Sequence, residues 1–304
     1  MRETVLSVRN LTKKYGNKVA LNNISIDINR GEIVGLLGHN GAGKTTLIKS
    51  ITGLLKCDDG KIIILGENAN TNYSKLIGRV GLLIEPAFYD FLSAYDNLKV
   101  LMMANSKSKN LKEKIMESLE FVGLSNVCKD KIGTFSYGMK QRLGLAQALM
   151  EDPEIIILDE PTTGLDPMGI EELKVKLKDL TLLKKTTILF SSHQLTDVED
   201  ICEKIILLKE GNCLVNEYTN VILGNKEYVF QIQNLIDKDM FMKCCIKNNL
   251  NITISDEKII FLSTEQNQLN ILIKTMIEQS IDIIDIKVNK DSLAKLFITD
   301  KSVN

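Results

Sequence analysis

The sequence predicts an α/β fold with a smaller α+β domain at its C-terminal end. The stretch Gly38–Thr46 fits the pattern G-x-x-x-x-G-K-[ST], and it lies between an apolar run, Ile33–Leu37, and a helical segment. Further short apolar runs end in polar residues, as the strands of an open parallel sheet do. All 19 glycines lie at or before Gly224 and all 4 prolines lie between Pro86 and Pro167. The last 80 residues therefore form a different module.

Composition narrows the classes of protein. The chain has 304 residues, of which 44% are apolar and 25% charged, with a net charge of −1; these values are typical of a globular protein. Because no basic run is present, we expect neither nucleic acid nor an anionic membrane surface as a partner. The apolar runs are too short to span a bilayer, and no signal pattern precedes the first predicted strand. Six cysteines without metal-ligand spacing predict reduced thiols and no zinc site.

The glycine-rich loop is the strongest functional signal. Its glycines let consecutive N–H groups face one centre, and the following helix N-terminus adds partial positive charge. Gly-rich turns also occur without a ligand, but Lys-Thr directly after the last glycine favours a nucleotide. Lys44 can reach the β- and γ-phosphates, and the Thr45 hydroxyl can ligate Mg²⁺. We predict that all nine residues bind the nucleotide: Gly38, His39, Asn40, Gly41, Ala42, Gly43, Lys44, Thr45 and Thr46.

Two adjacent acids follow the apolar run Ile155–Leu158. Adjacent carboxylates at the end of a buried strand indicate a functional role, because burying charge is costly unless it is paired or metal-bound. We predict that Asp159 holds Mg²⁺, and that Glu160 orients or deprotonates a water that attacks the γ-phosphate.

Three further residues are candidates with open alternatives. Glu85 ends the predicted strand Arg79–Ile84, where it can reach a metal and act in catalysis or be a surface acid. His193 follows the predicted strand Thr186–Phe190, and its place among polar strand ends favours a catalytic role over a structural one. Tyr15 lies in a predicted loop over residues 11–18, where it either stacks on an adenine or covers a small core.

A second helix N-terminus is predicted at Ser136, a residue type suited to an N-cap, with Gly138 in the first turn. The pattern after residue 225 predicts the order β-α-β-β-α-β of a ferredoxin-like unit, followed by a short helix over 291–298. We expect the domain boundary near residues 216–225, which gives domains 1–220 and 221–304.

Taken together, the motifs over residues 4–216 resemble the ATP-binding subunit of ABC (ATP-binding cassette) transporters. The resemblance implies a P-loop NTPase fold of the ABC type with a helical subdomain at about 87–150. The matching motifs, in the expected order, are the Tyr15 loop, Walker A at Gly38–Thr46, Glu85 at the Gln-loop position, the signature at Ser136–Gln141, Walker B at Ile155–Glu160, the D-loop at Gly164–Pro167 and His193.

The resemblance also implies ATP and Mg²⁺ as ligands and a head-to-tail dimer of two such subunits. Each ATP would lie between Walker A of one subunit and the signature of the other, and His193 would hold the γ-phosphate within its own subunit. Membrane permease subunits would dock on a surface within Ala87–Met103. The protein would then be cytoplasmic, held peripherally on the inner face of the cell membrane. The residues implied to act across the dimer are Ser136, Tyr137, Gly138, Met139 and Asp166.

Two departures from the family pattern narrow the subfamily. Phe135–Gln141 replaces Leu-Ser-Gly-Gly-Gln, and Glu85 stands where the family usually has glutamine. Both variants resemble the bacitracin-export and lantibiotic-immunity group, which removes membrane-active peptide antibiotics. The alternative within transporters is an ABC-2-type drug or sodium exporter.

A soluble ABC protein of translation or DNA repair is a different class. Translation factors of this type carry two ATP-binding domains in one chain, and repair proteins place a long coiled coil between Walker A and Walker B. This chain has one such domain and no such coiled coil. Residues 225–304 as a regulatory ligand-binding module stay an open alternative.

Overall fold

The computed structural model describes residues 3–105, 110–219, 226–233, 238–248, 250, 252–255, 258–263, 266–279 and 281–289. The chain divides into two compact units, Met1–Asn216 and Glu217–Asn304. In chain order, the main elements up to residue 218 are β1 (Thr4–Tyr15), β2 (Lys18–Asn29), β3 (Ile33–Leu37), α1 (Lys44–Ile51), β4 (Asp59–Ile64), β5 (Glu67–Asn68), β6 (Val80–Leu83), α2 (Ala94–Asn105), α3 (Leu111–Phe121), α4 (Tyr137–Leu149), β7 (Ile155–Leu158), α5 (Pro167–Lys184), β8 (Thr187–Ser192), α6 (Leu195–Glu199), β9 (Lys204–Lys209) and β10 (Asn212–Tyr218).

The central sheet has the strand order β10-β9-β3-β8-β7-β6. Its neighbours from β9 to β6 are parallel. Every residue of β3, β7 and β8 is buried, which is why these strands are continuous apolar runs rather than alternating ones. Leu37 pairs with Ser192 and Leu158 with Phe190. The segments that follow β3, β7 and β8 therefore leave the sheet at one edge, where open α/β sheets bind ligands.

A second, antiparallel sheet has the order β2-β1-β4-β5. The predicted loop over residues 11–18 is wrong for most of its length, since β1 continues to Tyr15, which pairs with Lys18. The physical reason is the two-residue turn at Gly16, whose φ of +58° suits a tight hairpin. Leu11, fully buried, anchors this part of β1 in the core.

Three helices, α2, α3 and α4, lie within the predicted helical subdomain. α4 begins after Ser136, whose hydroxyl accepts a hydrogen bond from the Met139 N–H at 3.2 Å, so the predicted N-cap is confirmed. None of the helices in the described ranges is long and apolar enough to cross a membrane.

All six cysteines are free thiols. Burial raises the pKa of the Cys202 thiol well above its usual range and raises that of Cys245 to about 11. Because the thiolate is the reactive form, these two buried thiols are inert at neutral pH.

The second unit contains β11 (Lys226–Gln233), α7 (Lys238–Lys247), β12 (Ile252–Ser255), β13 (Lys258–Ser263), α8 (Gln266–Glu278) and β14 (Asp282–Asn289). Its sheet has the order β12-β13-β11-β14 with antiparallel neighbours. Phe230, Phe241 and Phe261 are fully buried in its core. The element order is β-α-β-β-α-β, as the alternation of apolar residues predicts. The predicted helix over 291–298 lies outside the described residues.

Candidate nucleotide-binding site

The glycine-rich loop connects β3 to α1 in a tightly confined turn. Gly41 and Gly43 have φ of +83° and +109°, in the left-handed region. A Cβ on Gly43 would lie 2.7 Å from the Ala20 carbonyl oxygen, and one on Gly38 would lie 2.6 Å from that of Leu208. The loop is therefore held between β2 and β9 at a distance that only glycine permits, with its backbone curled over the start of α1.

Lys44 is buried, and three oxygens, including the His39 carbonyl at 3.4 Å, hold its ammonium group at the loop. Its Nζ donates to the Gly38 carbonyl at 2.7 Å and lies 3.2 Å from Glu160 Oε1. The side chain is 5% exposed, so its charge is only weakly screened by solvent. The ammonium group thus lies at the N-terminus of α1, where phosphate binding is favoured, and is paired there with the Glu160 carboxylate.

The acids after β7 are tied to the phosphate loop and to β8. Thr45 Oγ1 donates to Asp159 Oδ2 at 2.8 Å, and Ser191 Oγ donates to Asp159 Oδ1 at 2.6 Å. The Glu160 N–H in turn donates to Ser191 Oγ at 2.8 Å. Ser191 thus bridges both acids, a role that the sequence did not predict. Its only sequence signal is its place at the end of a buried strand.

Glu160 and His193 are in direct contact. Nδ1 of His193 lies 2.7 Å from Oε2 of Glu160, and Gln141 Nε2 donates to the Glu160 carbonyl at 3.2 Å. The backbone of Glu160 has a φ of +49°, in the left-handed region, a strained conformation of the kind found at functional sites. Both backbone polar groups and both carboxylate oxygens of Glu160 therefore have a partner.

Most of the predicted nucleotide-binding residues line one cavity of about 770 Å³, whereas Gly38, Ala42 and Asp159 are not among its lining residues. Of the predicted residues, it brings together Tyr15, His39, Asn40, Gly41, Gly43, Lys44, Thr45, Thr46, Glu160 and His193. Its lining also includes residues that the sequence did not predict: Lys18, Val19, Ala20, Thr163, Glu210 and Gly211. The last two lie at the turn between β9 and β10, some 170 residues from the phosphate loop, and no local pattern indicates such a contact.

Tyr15 lies at the end of β1, with its ring at the rim of this cavity. The side chain is 52% exposed, and Lys13 Nζ lies 5.5 Å from the ring centroid. A half-exposed ring has a free face for stacking on another flat group. Stacking on adenine stays a prediction.

Glu85 is not among the cavity-lining residues. Its carboxylate lies 3.1 Å from the Lys49 ammonium on α1, and its side chain is 74% exposed. The ion pair joins the end of β6 to the helix that follows the phosphate loop. The metal-binding and catalytic roles of Glu85 stay predictions.

The residues predicted to act across a dimer lie outside the cavity, at the start of α4 and α5. Ser136 and Tyr137 are exposed, and Asp166 caps α5 by accepting from the Gly169 N–H at 3.1 Å. A Cβ on Gly138 would lie 3.1 Å from the Gly164 carbonyl oxygen. The two helix N-termini therefore lie side by side within one chain.

The fit of a Mg²⁺ ion follows from the donor set. The Thr45 hydroxyl and the Asp159 carboxylate are hard oxygen donors at hydrogen-bond distance from each other. The described residues contain no group of three or more His, Cys, Asp or Glu that could hold a metal by themselves. Mg²⁺ suits such a site, because it is commonly bound by one or two protein oxygens together with substrate phosphates and water.

A phosphate loop, Glu160 and His193 around one cavity, with Asp159 bonded to Thr45 of that loop, are typical of a nucleotide-binding ATPase of the P-loop class. Residues 21–163 match the family model described as ABC transporter. The chain is 36% identical to the bacitracin transport ATP-binding protein BcrA of Bacillus licheniformis, over 97% of this chain and 96% of BcrA. It is 40% identical to the lantibiotic transport ATP-binding protein SrtF of Streptococcus pyogenes, over 77% of this chain and 99% of SrtF.

A solved structure with a similar fold is a dimeric ATP-binding cassette in a post-hydrolysis state with ADP and phosphate. It shares 26% identity with the chain at a TM-score of 0.65, over 70% of this chain and 98% of that one. The chain belongs to the ATP-binding proteins of ABC transporters. It is an ATPase, as the sequence predicts.

Proposed function

We propose that this chain is the ATP-hydrolysing subunit of an ABC exporter that removes membrane-active peptide antibiotics of the bacitracin or lantibiotic type. The observation that carries the proposal is the similarity to BcrA over 97% of the chain, because that similarity includes the C-terminal unit. The similarity to SrtF supports the same substrate class. Glu85 and the signature at Phe135–Gln141 resemble the same group.

In this proposal Glu160 is the catalytic carboxylate. Its contacts with Lys44 and His193 keep it at the phosphate loop, where it would orient a water and accept its proton. His193 would hold the γ-phosphate, and Lys44 would neutralise the β- and γ-phosphates. Thr45 and Asp159 would hold Mg²⁺, which neutralises charge on the phosphates when bound.

The complete site would need a second copy of the chain or a related ATPase. Ser136, Tyr137, Gly138 and Met139 lie outside the cavity, at an α4 N-terminus that favours anions. In a head-to-tail dimer they would meet the γ-phosphate bound by the partner, with Asp166 near the interface. The similar cassette solved as a dimer supports this arrangement.

The permease would dock on a surface within Ala87–Met103. Tyr89 and Phe91 are 55% and 69% exposed there, with ring centroids 5.7 Å apart. Asn97 fixes this loop: its side chain accepts from the Tyr89 N–H at 2.8 Å and donates to the Tyr89 carbonyl at 3.1 Å. An exposed but firmly held aromatic pair suits an interface with another protein. Docking there would hold the chain at the cytoplasmic face of the membrane.

Glu160→Gln tests the catalytic assignment. The amide cannot accept the proton of the attacking water, so we expect steady-state ATP hydrolysis to fall by about 10²-fold or more. ATP binding should persist, and the ATP-bound dimer should accumulate. Hydrolysis is measured by phosphate release, binding by titration with a fluorescent ATP analogue, and assembly by size-exclusion chromatography with ATP. Glu120→Gln, the same change at an exposed site on α3, is the control. Near-normal turnover in Glu160→Gln would show that Glu160 is not the catalytic carboxylate.

The substrate class is tested in a sensitive Gram-positive host that carries the chain with its permease. We expect the wild type to raise resistance to bacitracin or a lantibiotic, and the Glu160→Gln variant to abolish that gain. Tolerance of sodium or of small hydrophobic drugs, without any change in peptide resistance, would instead favour the alternative exporter class.

A further inference from the structure

A buried carboxylate lies next to the candidate site. Asp197, in the first turn of α6, is 4% exposed. Within the described part of the chain, its hydrogen-bond partners are two hydroxyl groups rather than a lysine or arginine. Burying a carboxylate is costly unless hydrogen bonds compensate, so a buried aspartate of this kind indicates a structural or functional role.

The two hydroxyls belong to the two segments that carry Glu160 and His193. Thr162 Oγ1 and Ser192 Oγ each donate to Asp197 Oδ2 at 2.8 Å. Thr162 lies two residues after Glu160, and Ser192 lies directly before His193. One carboxylate oxygen therefore joins the segment after β7 to the last residue of β8.

The second segment is fixed further by its own backbone. The Gln194 N–H donates to Ser192 Oγ at 2.9 Å, so Ser192 both accepts from the residue after His193 and donates to Asp197. His193 itself is 43% exposed at its side chain. The position of the imidazole therefore depends on its contact with Glu160 and on the turn that carries His193.

We propose that Asp197 is a positioning residue that sets the Glu160–His193 contact, by holding Thr162 and Ser192 on a single carboxylate oxygen. The proposal rests on the proposed roles of Glu160 and His193. Asp197 touches neither side chain, and it acts through the backbone segments to which both belong. Loss of the carboxylate would let the two segments separate, and a misplacement of about 1 Å at reacting groups can cost about 10²-fold in rate.

The experiment compares Asp197→Ala with Asp197→Asn, which keeps an oxygen that accepts from both hydroxyls. Asp200→Ala is the matched control, because Asp200 directly follows the same short helix, is exposed, and pairs with Lys174 rather than with Thr162 or Ser192. We expect Asp197→Ala to lower kcat by about tenfold to a hundredfold with the KM for ATP unchanged. Asp197→Asn should restore most of that loss, and Asp200→Ala should keep the wild-type kcat.

A second readout does not depend on turnover. The sequence has only two histidines, so the imidazole ¹⁵N resonances of His193 can be assigned with a His39→Gln variant. We expect Asp197→Ala to shift the His193 resonances in the nucleotide-free protein, and Asp200→Ala to leave them in place. Because the measurement needs no ATP, it tests the position of His193 independently of the catalytic role of Glu160.

Three results would overturn the proposal: an unchanged kcat in Asp197→Ala, a loss of kcat with unmoved His193 resonances, or a loss of ATP binding together with kcat in a folded variant. If Asp197→Ala does not fold, Thr162→Val removes one of the two hydrogen bonds while keeping the side-chain shape. It should show the same two effects at smaller size, and wild-type behaviour in Thr162→Val would equally contradict the proposal.

Discussion

At the scale of single residues, the candidate site consists of side chains that hold one another in place. Glu160 receives a hydrogen bond at its carbonyl from Gln141 and gives one from its N–H to Ser191. Its carboxylate contacts both Lys44 and His193. Groups fixed in this way lose little freedom when a substrate binds, which is the physical meaning of a preorganised site. Residues at its margin, such as Glu85, have fewer constraints and can differ between subfamilies.

Glu85→Gln is the residue-scale prediction. The change removes an exposed ion pair with Lys49, so the free energy of unfolding should change by no more than about 1 kcal/mol. ATP binding should persist, because Glu85 does not line the cavity. Peptide resistance or hydrolysis should change, since the pair connects the segment before the proposed docking surface to α1. Measurements are urea denaturation, nucleotide titration, phosphate release and resistance, with Glu113→Gln on exposed α3 as the control. If resistance and hydrolysis both match the wild type, position 85 is only a subfamily marker.

At the scale of elements, α4 contacts the loop between β7 and α5 through several residues. Gln141 binds the Glu160 carbonyl, and the Tyr137 ring lies over the Cα of Gly164, where a Cβ would clash with ring carbon Cδ1. Tyr137 stands where the family pattern has glycine, so this contact is particular to sequences with a large residue there. Movement of α4 would therefore be passed to the loop between β7 and α5 of the same chain.

Gly164→Ala and Tyr137→Ala should therefore be non-additive. The φ of +78° at Gly164 makes alanine cost about 1–2 kcal/mol in free energy of unfolding by itself. When Tyr137 is present, the added methyl group must also displace the Tyr137 ring. In the Tyr137→Ala background only the first cost remains, so the double variant should be more stable than the summed single effects by about 1 kcal/mol. Urea denaturation of all four proteins gives this coupling. Gly66→Ala is the matched control, with a φ of +81° and open space around it; it should be additive with Tyr137→Ala. Additivity of the Gly164 pair would contradict the contact.

The elements show which parts of the site local sequence can predict. The order of β3, phosphate loop and α1 follows from residues 33–51 alone, because glycine conformation and apolar runs are local properties. The strand position of Tyr15 was missed because its segment is polar, and pairing with β2 outweighs that composition. Ser191 and Gly211 were missed for another reason. Their contacts with Asp159 and Ala42 join residues far apart in sequence, and no spacing rule relates such positions.

At the scale of the whole molecule, each of the two units has a hydrophobic core among its described residues. One is formed by residues between Val5 and Leu208, and it includes the fully buried Leu36 and Leu47 on either side of the phosphate loop. The other is formed by residues between Tyr228 and Ile281 around three buried phenylalanines. A unit with its own core can in principle fold alone. The division of the chain at Asn216 then predicts how the protein unfolds.

We expect a chain of residues 1–219 to fold and to bind ATP with the affinity of the full-length protein. This length keeps β10 whole, since β10 ends at Tyr218, beyond the division between the units. All residues that line the nucleotide cavity lie before residue 212. Calorimetry of the full-length chain should show two transitions, and ATP with Mg²⁺ should raise the midpoint of only one of them, because ligand binding stabilises the unit that binds. The shortened chain should show that transition alone. A single transition in the full-length chain, together with loss of ATP binding in the shortened one, would mean that the second unit is required for the nucleotide site.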